Sequence, residues 1–160
     1  MAQVLWFYGL SGSGKTTAAE HALLYAHQCG LKTCLLDSDD IRASLWPEVG
    51  LKPNGRIEHI NRVVSLMQLI PALDLIVVAA MVPYEMQRAH VLQAFPAAKF
   101  VLVNTPLHIC KQRKPNTYEN PFAVEHIEAT PSPSHTIDGV LPISALHRHV
   151  EHIVGTYWPD

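Results

Sequence analysis

Residues Gly9–Thr16 read GLSGSGKT, and an apolar run, QVLWFY (Gln3–Tyr8), leads straight into them. The segment after it, KTTAAEHALLYAHQC, carries Ala19, Ala22, Leu23 and Ala26 at helical spacing and stops at Gly30. A buried strand, a loop of the form G-x-x-x-x-G-K-[ST] and a helix, in that order, leave few folds open. Gly9, Gly12 and Gly14 let the backbone wrap closely around phosphate with its N–H groups turned inward, and the helix adds the positive end of its dipole. Lys15 is then expected to reach the β- and γ-phosphates of a nucleotide, and the Thr16 hydroxyl to bind Mg²⁺. The expected cofactors are ATP and Mg²⁺, held by Gly9, Ser11, Gly12, Ser13, Gly14, Lys15, Thr16 and Thr17. A glycine-rich turn that binds nothing is the plain alternative; the agreement of motif with context argues against it.

The rest of the chain repeats the alternation. KTCLLD, DLIVVAAMV and KFVLVN read as strands, and SHTID as a last short one. GRIEHINRVVSLMQLI has Ile57, Ile60, Val63, Val64 and Met67 at helical spacing. Pro83 is expected to open a helix running to about Ala94. LHICKQR reads as a short helix, Pro115 to Pro133 as a proline-rich stretch, and PISALHRHVEHIV as a final helix. Strand–helix alternation predicts an α/β fold of the P-loop NTPase type, a parallel sheet with helices on both faces. With 160 residues and no internal repeat, a single domain over residues 1–160 is expected.

Composition narrows the class. No apolar run approaches the ~20 residues that span a bilayer. MAQVLWFYGL is short, and lacks a basic start and a small-residue cleavage site, so a cytoplasmic location without membrane association is expected. The net charge of −2 and the lack of a Lys/Arg-rich run oppose a nucleic-acid partner. Cys29, Cys34 and Cys110 have no metal-type spacing and read as reduced, mostly buried thiols. HRHVEH (147–152) reads as a solvated helix face, not a metal site.

The second strand runs into acid: LLDSDDIR, Leu35 to Arg42. If that strand lies beside the phosphate-loop strand, Asp37 and Asp39 face the γ-phosphate. A kinase uses one carboxylate to orient or deprotonate the acceptor hydroxyl and another to hold Mg²⁺ through water. Strand alternation puts Asp37 and Asp39 on one side and Asp40 on the other, where Asp40 can cap a helix starting near Ile41. The third strand ends without an acid and no N-K-x-D segment is present, which favours a small-molecule kinase over a GTPase switch or an ATPase. Catalytic candidates are therefore Lys15, Asp37 and Asp39, with Thr16 and Asp37 at the metal.

GLSGSGKTT, LLDSDDIR, GLKPNGRIEHINRV, VVAAMVPYEMQR and VNTPLHICKQRKP, in that order over most of the chain, resemble the adenylylsulfate kinase family. Its usual forms are close to LDGDNVR, R-x-E-N-I-R-R, ISP-x-R-x-x-R and V-x-x-P-L-x-x-C-x-x-R-D-P. The resemblance implies transfer of the ATP γ-phosphate to the ribose 3′-hydroxyl of adenylylsulfate. It implies that Arg42 and Arg56 bind the acceptor's anionic groups, as planar guanidiniums suit. It further implies that Arg113 stacks on the ATP adenine, that Asp39, His59 and the backbone of Met81 and Val82 contact the acceptor nucleotide, and that homodimers form. Arg62 and Arg88 read instead as surface helix charges.

The departures fall on the acceptor half. Leu51 stands where the family has an aromatic, His59 where it has asparagine, and Val82 where it has serine. The family's longer lid is shortened in KQRKPNTYENPFAVEHIEATPSP, where Tyr118 or Phe122 could replace the lost aromatic. Two other readings follow: a kinase of the same fold acting on another nucleotide-like or small alcohol, and a nucleotide-binding regulator without transfer activity.

Overall fold

The structure, a computed structural model, describes residues 2–70, 73–129 and 133–159. Five strands form one parallel sheet: β1 (Gln3–Tyr8), β2 (Thr33–Asp37), β3 (Leu75–Ala79), β4 (Lys99–Asn104) and β5 (His135–Asp138). Their order across the sheet is β2-β3-β1-β4-β5. The second strand therefore does not pair with the first, contrary to expectation; β3 lies between them, with Thr33 opposite Leu75 and Gln3 also opposite Leu75. The central place goes to the strand that is apolar on both faces, and the half-buried β2 takes the edge.

Residue alternation sorts the two cores. Val4, Trp6, Tyr8, Ile76 and Val78 face the helices α3 (Pro53–Leu69) and α4 (Glu85–Ala94), meeting Ile60, Val63, Val64, Met67 and Val91. Leu5, Phe7, Leu75, Val77 and Ala79 face α1 (Lys15–Gln28) and α7 (Ile143–Tyr157). Ala18, Ala19, Ala22 and Ala26 are all buried, so α1 presents small side chains to the sheet; Leu23 is only half-buried. The Trp6 indole N–H donates to Ala80 O at 3.0 Å, which satisfies the one polar atom of a fully buried ring.

The remaining helices are short: α2 (Ser38–Leu45), α5 (Leu107–Arg113) and α6 (Pro115–Tyr118). α4 starts two residues after Pro83, because Gln87 Oε1 accepts from the Tyr84 N–H and ends the preceding loop there. In the proline-rich stretch, α6 is a single turn, and Thr130 to Ser132 lie outside the described residues. Cys110 is buried, whereas Cys29 and Cys34 are half-buried. His147 is not simply solvated: it stacks on His21, ring centroids 3.6 Å apart, and His21 Nε2 pairs with Glu151 at 2.9 Å.

Candidate active site

The loop between β1 and α1 wraps at the carboxyl end of the sheet. Gly12 and Gly14 sit at φ 84° and 103°, which a side chain disfavours. A Cβ at Gly12 would also meet Cys110 O at 2.9 Å. Lys15 leans back along the loop, its Nζ 3.4 Å from Leu10 O. Burial pushes its ammonium down from the ordinary lysine range, against the opposing pull of Asp39 and Asp37.

A cleft of about 570 Å³ opens over this loop. Ser11, Gly12, Gly14, Lys15, Thr16 and Thr17 form one wall. Arg113 donates to the carbonyls of Gly12 (3.1 Å), Ser13 (3.4 Å) and Gly139 (3.0 Å), and so staples the loop after β5 to the phosphate loop. Thr105 Oγ1 donates to Ser13 O at 2.8 Å beside it. Gly139, Leu141 and Ile143 complete the far wall, and sequence reasoning missed them. Their only local signal was the turn residues Asp138 and Gly139, with Val140 N–H bonded to Asp138 Oδ1.

The acids are arranged differently from the strand expectation. β2 ends at Asp37, which caps α2: its Oδ1 accepts from the N–H groups of Asp39 (3.0 Å) and Asp40 (3.5 Å). Asp37, not Asp40, is the cap, and Asp39 is helical, so alternation no longer orients it. Asp37 Oδ2 accepts from the Thr16 hydroxyl at 2.9 Å. Two hard oxygen donors thus meet at the mouth of the phosphate loop, a donor set that fits Mg²⁺. Asp39 borders both the cleft and a second cavity, and its charge acts on Lys15, Arg42 and Arg56.

That second cavity, about 60 Å³, shares Ser11, Lys15, Thr16 and Asp39 with the first. Its other walls include Asp37, Ser38, Arg42, Leu51, Arg56 and Met81. Arg42 Nη1 donates to the carbonyls of Val49 (2.9 Å) and Gly50 (3.1 Å), and Arg56 Nη2 to Phe122 O (3.0 Å). Neither forms an ion pair among the described residues. Burial pushes both guanidiniums below the ordinary arginine range, Arg56 lowers Arg42 further, and Asp39 pulls both back up. His59 also reaches this cavity, but it is 1% exposed and both ring nitrogens are committed, to Ser38 Oγ (2.5 Å) and Trp46 Nε1 (2.7 Å). It has no nitrogen left to bind a ligand, contrary to its expected role. Met81 lines this cavity but Val82 does not: Val82 is fully buried and its backbone carbonyl, expected to face the acceptor, accepts from Arg88 instead.

Arg88 is the clearest reversal. It is 3% exposed and joins Val82 O to Glu128 O, each at 2.5 Å, with its guanidinium over the Tyr8 ring. Arg62 is exposed and paired with Glu58 and Glu48, as a surface charge. The short segment after α5 still crosses the site. The Tyr118 hydroxyl donates to Ser11 O at 2.7 Å, Lys111 pairs with Glu125 at 2.7 Å, and Glu128 N–H donates to Pro83 O at 2.8 Å. Phe122 O accepts from Arg56, and Lys52 Nζ lies 5.3 Å from the Phe122 ring centroid.

The adenylylsulphate kinase family profile matches residues 1–123. The chain belongs to the adenylylsulfate kinase family. An adenylyl-sulfate kinase of Marinobacter nauticus is 39% identical over 115 residues, which is 70% of this chain and 58% of that protein. The chain thus spans somewhat over half the length of that curated relative. Among solved structures, the APS kinase of Mycobacterium tuberculosis in complex with AMPPNP and APS superposes with a TM-score of 0.83 at 23% identity, covering 96% of this chain and 97% of that one. A gluconokinase of Sinorhizobium meliloti superposes with a TM-score of 0.70 at 15% identity, covering 98% and 93%. The P-loop kinase fold is common to these structures, so the family membership rests on the sequence. Among the described residues no helix is long and apolar enough to cross a membrane.

Proposed function

We propose that residues 1–160 form a single P-loop kinase domain that transfers the γ-phosphate of ATP to the ribose 3′-hydroxyl of adenylylsulfate. The observation that carries this reading is the shared wall: the large cleft and the arginine-lined cavity meet at Ser11, Lys15, Thr16 and Asp39. Two substrates, one in each space, would touch across the residues suited to phosphoryl transfer. Gly9, Gly12, Ser13, Gly14, Lys15 and Thr17 hold the ATP phosphates. Arg113 faces the adenine end. Thr16 and Asp37 would hold Mg²⁺, which when bound would supply positive charge to the transferring phosphate. Arg42 and Arg56 bind the anionic groups of the acceptor, with Met81 beside them. Asp39 takes the proton of the attacking hydroxyl as the new oxygen–phosphorus bond forms and ADP leaves with its bridging oxygen.

The test is ADP release from Mg-ATP with adenylylsulfate, against a control without acceptor. Acceptor-dependent turnover supports the reading, and a rate equal to the control refutes it. One observation favours a second reading. The acceptor cavity is about a tenth the size of the ATP cleft, and Leu51 occupies a wall where the family has an aromatic. A smaller anionic alcohol suits that space, and a panel of phosphorylated nucleosides and sugars in the same assay separates the two. The non-transferring regulator is the third reading; acceptor-independent ATP binding without turnover on any acceptor would favour it. A cytoplasmic location is expected from the lack of a membrane-length apolar run, and self-association into homodimers from the family resemblance; sedimentation of the purified protein tests the latter.

A further inference from the structure

Ser38 separates Asp37 from Asp39 and lines the arginine cavity together with His59. Its neighbours set the direction of every proton around it. Trp46 Nε1 lies 2.7 Å from His59 Nδ1. An indole N–H only donates, so Nδ1 accepts and carries no proton. A neutral imidazole then holds its proton on Nε2, which lies 2.5 Å from Ser38 Oγ. The ring donates to the serine. Having accepted, Ser38 Oγ keeps its own proton to give. Asp37 does not take it: its Oδ1 serves the N–H groups of Asp39 and Asp40, and its Oδ2 serves Thr16. No hydrogen bond among the described residues uses that proton. Burial, and then Arg42 and Arg56, hold the His59 pKa down at about 4, so the neutral ring persists through the physiological range.

We infer that Ser38 is a specificity residue of the acceptor site, its hydroxyl aimed by the one-way chain Trp46→His59→Ser38 to donate to an oxygen of the acceptor molecule beside the reacting hydroxyl. The inference rests on reading the arginine cavity as the acceptor site. His59 and Trp46 are positioning residues that act through Ser38. The acceptor class is an alcohol with an anionic group for Arg42 and Arg56 and, next to the alcohol, an oxygen that accepts a hydrogen bond: a vicinal hydroxyl, a sugar-ring oxygen or an ester oxygen. An acceptor with a methylene there leaves the serine hydroxyl buried and unpaired, which is how a site rejects an analogue.

The test uses the full chain with Mg-ATP and adenylylsulfate. Ser38→Ala is expected to raise the acceptor KM about five- to tenfold and leave the ATP KM unchanged. His59→Leu, which removes the aiming donor, is expected to shift the acceptor KM in the same direction. His59→Gln, whose amide N–H stands in for Nε2–H, is expected to stay near wild type. A side-chain ¹⁵N spectrum of His59 in the wild-type protein is expected to show the proton on Nε2. An unchanged acceptor KM in Ser38→Ala, or a proton on Nδ1, overturns the inference while the kinase reading stands. A wild-type protein without acceptor-dependent turnover overturns the kinase reading and the inference with it.

Discussion

Replacing Asp37 with asparagine separates two tasks of one carboxylate. Oδ1 caps α2 through the N–H groups of Asp39 and Asp40, and Oδ2 faces the Thr16 hydroxyl at 2.9 Å. Asparagine caps a helix about as well as aspartate, so the Oδ1 contacts survive. Only the charge near the helix start is lost, worth about 0.3–1 kcal/mol. For a domain of this size that lowers the unfolding midpoint by about 1–3 °C. The other task fails outright. An amide nitrogen at the Oδ2 position offers two N–H donors where a metal needs an oxygen anion. A correctly held metal is worth several kcal/mol of transition-state charge stabilisation, so kcat is expected to fall roughly 10³-fold, or about 4 kcal/mol of barrier. ATP binding is expected to persist, because the loop N–H groups and Lys15 are untouched. Asp37→Ala adds the loss of the cap, about 1 kcal/mol more. The assays are ADP release with acceptor, nucleotide titration calorimetry and thermal unfolding, on all three proteins. A kcat within threefold of wild type in Asp37→Asn refutes the chemical role, and an unfolding midpoint as low as that of Asp37→Ala refutes the capping role.

Arg88→Met keeps the buried stem but removes two charge-assisted hydrogen bonds to Val82 O and Glu128 O; thermal unfolding is expected to show a loss of about 3 kcal/mol, roughly 10 °C. Arg42→Ala and Arg56→Ala are each expected to raise the acceptor KM at least tenfold with little change in the ATP KM, read by steady-state kinetics over both substrates. His59, held neutral at a pKa of about 4 against an unfolded value of about 6.5, binds a proton in the unfolded chain first. Its contribution is therefore present above pH ~6.5 and lost as pH falls toward about 4, by at most about 3 kcal/mol; urea unfolding of wild type and His59→Gln across that window is expected to show a shallower pH slope in the variant.

The strands and the phosphate loop were legible for a local reason. β1 and β3 are buried on both faces, so they read as unbroken apolar runs, and the loop that binds phosphate is eight consecutive residues, Gly9 to Thr16. Strand order was not local. A crossover helix of 14 residues can bring its second strand to the adjacent place or one beyond, and nothing within KTCLLD distinguishes the two. The DSDD stretch misleads because two periods meet there. The chain changes from strand to helix at Asp37, and alternation was carried two residues too far, onto Asp39. An arginine on an amphipathic helix is usually a surface charge; the carbonyls of Val82 and of Glu128, 40 residues away, together with the Tyr8 ring make Arg88 a buried strut.

The same contrast divides the active site. The ATP half depends on one short motif whose backbone geometry tolerates little change, as the positive φ angles of Gly12 and Gly14 require. On the proposed reading the acceptor half is assembled from Ser38, Arg42, Leu51, Arg56 and Met81, brought together from several elements and loops. No window of sequence contains it, and resemblance alone pointed to its arginines. That dispersal has a chemical consequence. Substitutions at Leu51, His59 or Phe122 reshape the acceptor's surroundings without moving Lys15, Thr16 or Asp37, since none of them bonds to those groups. Phosphoryl transfer and acceptor choice can therefore vary independently in this fold. Leu51 and His59, which depart from the family pattern, accordingly line the arginine cavity beside Ser38 while the phosphate loop keeps its full motif.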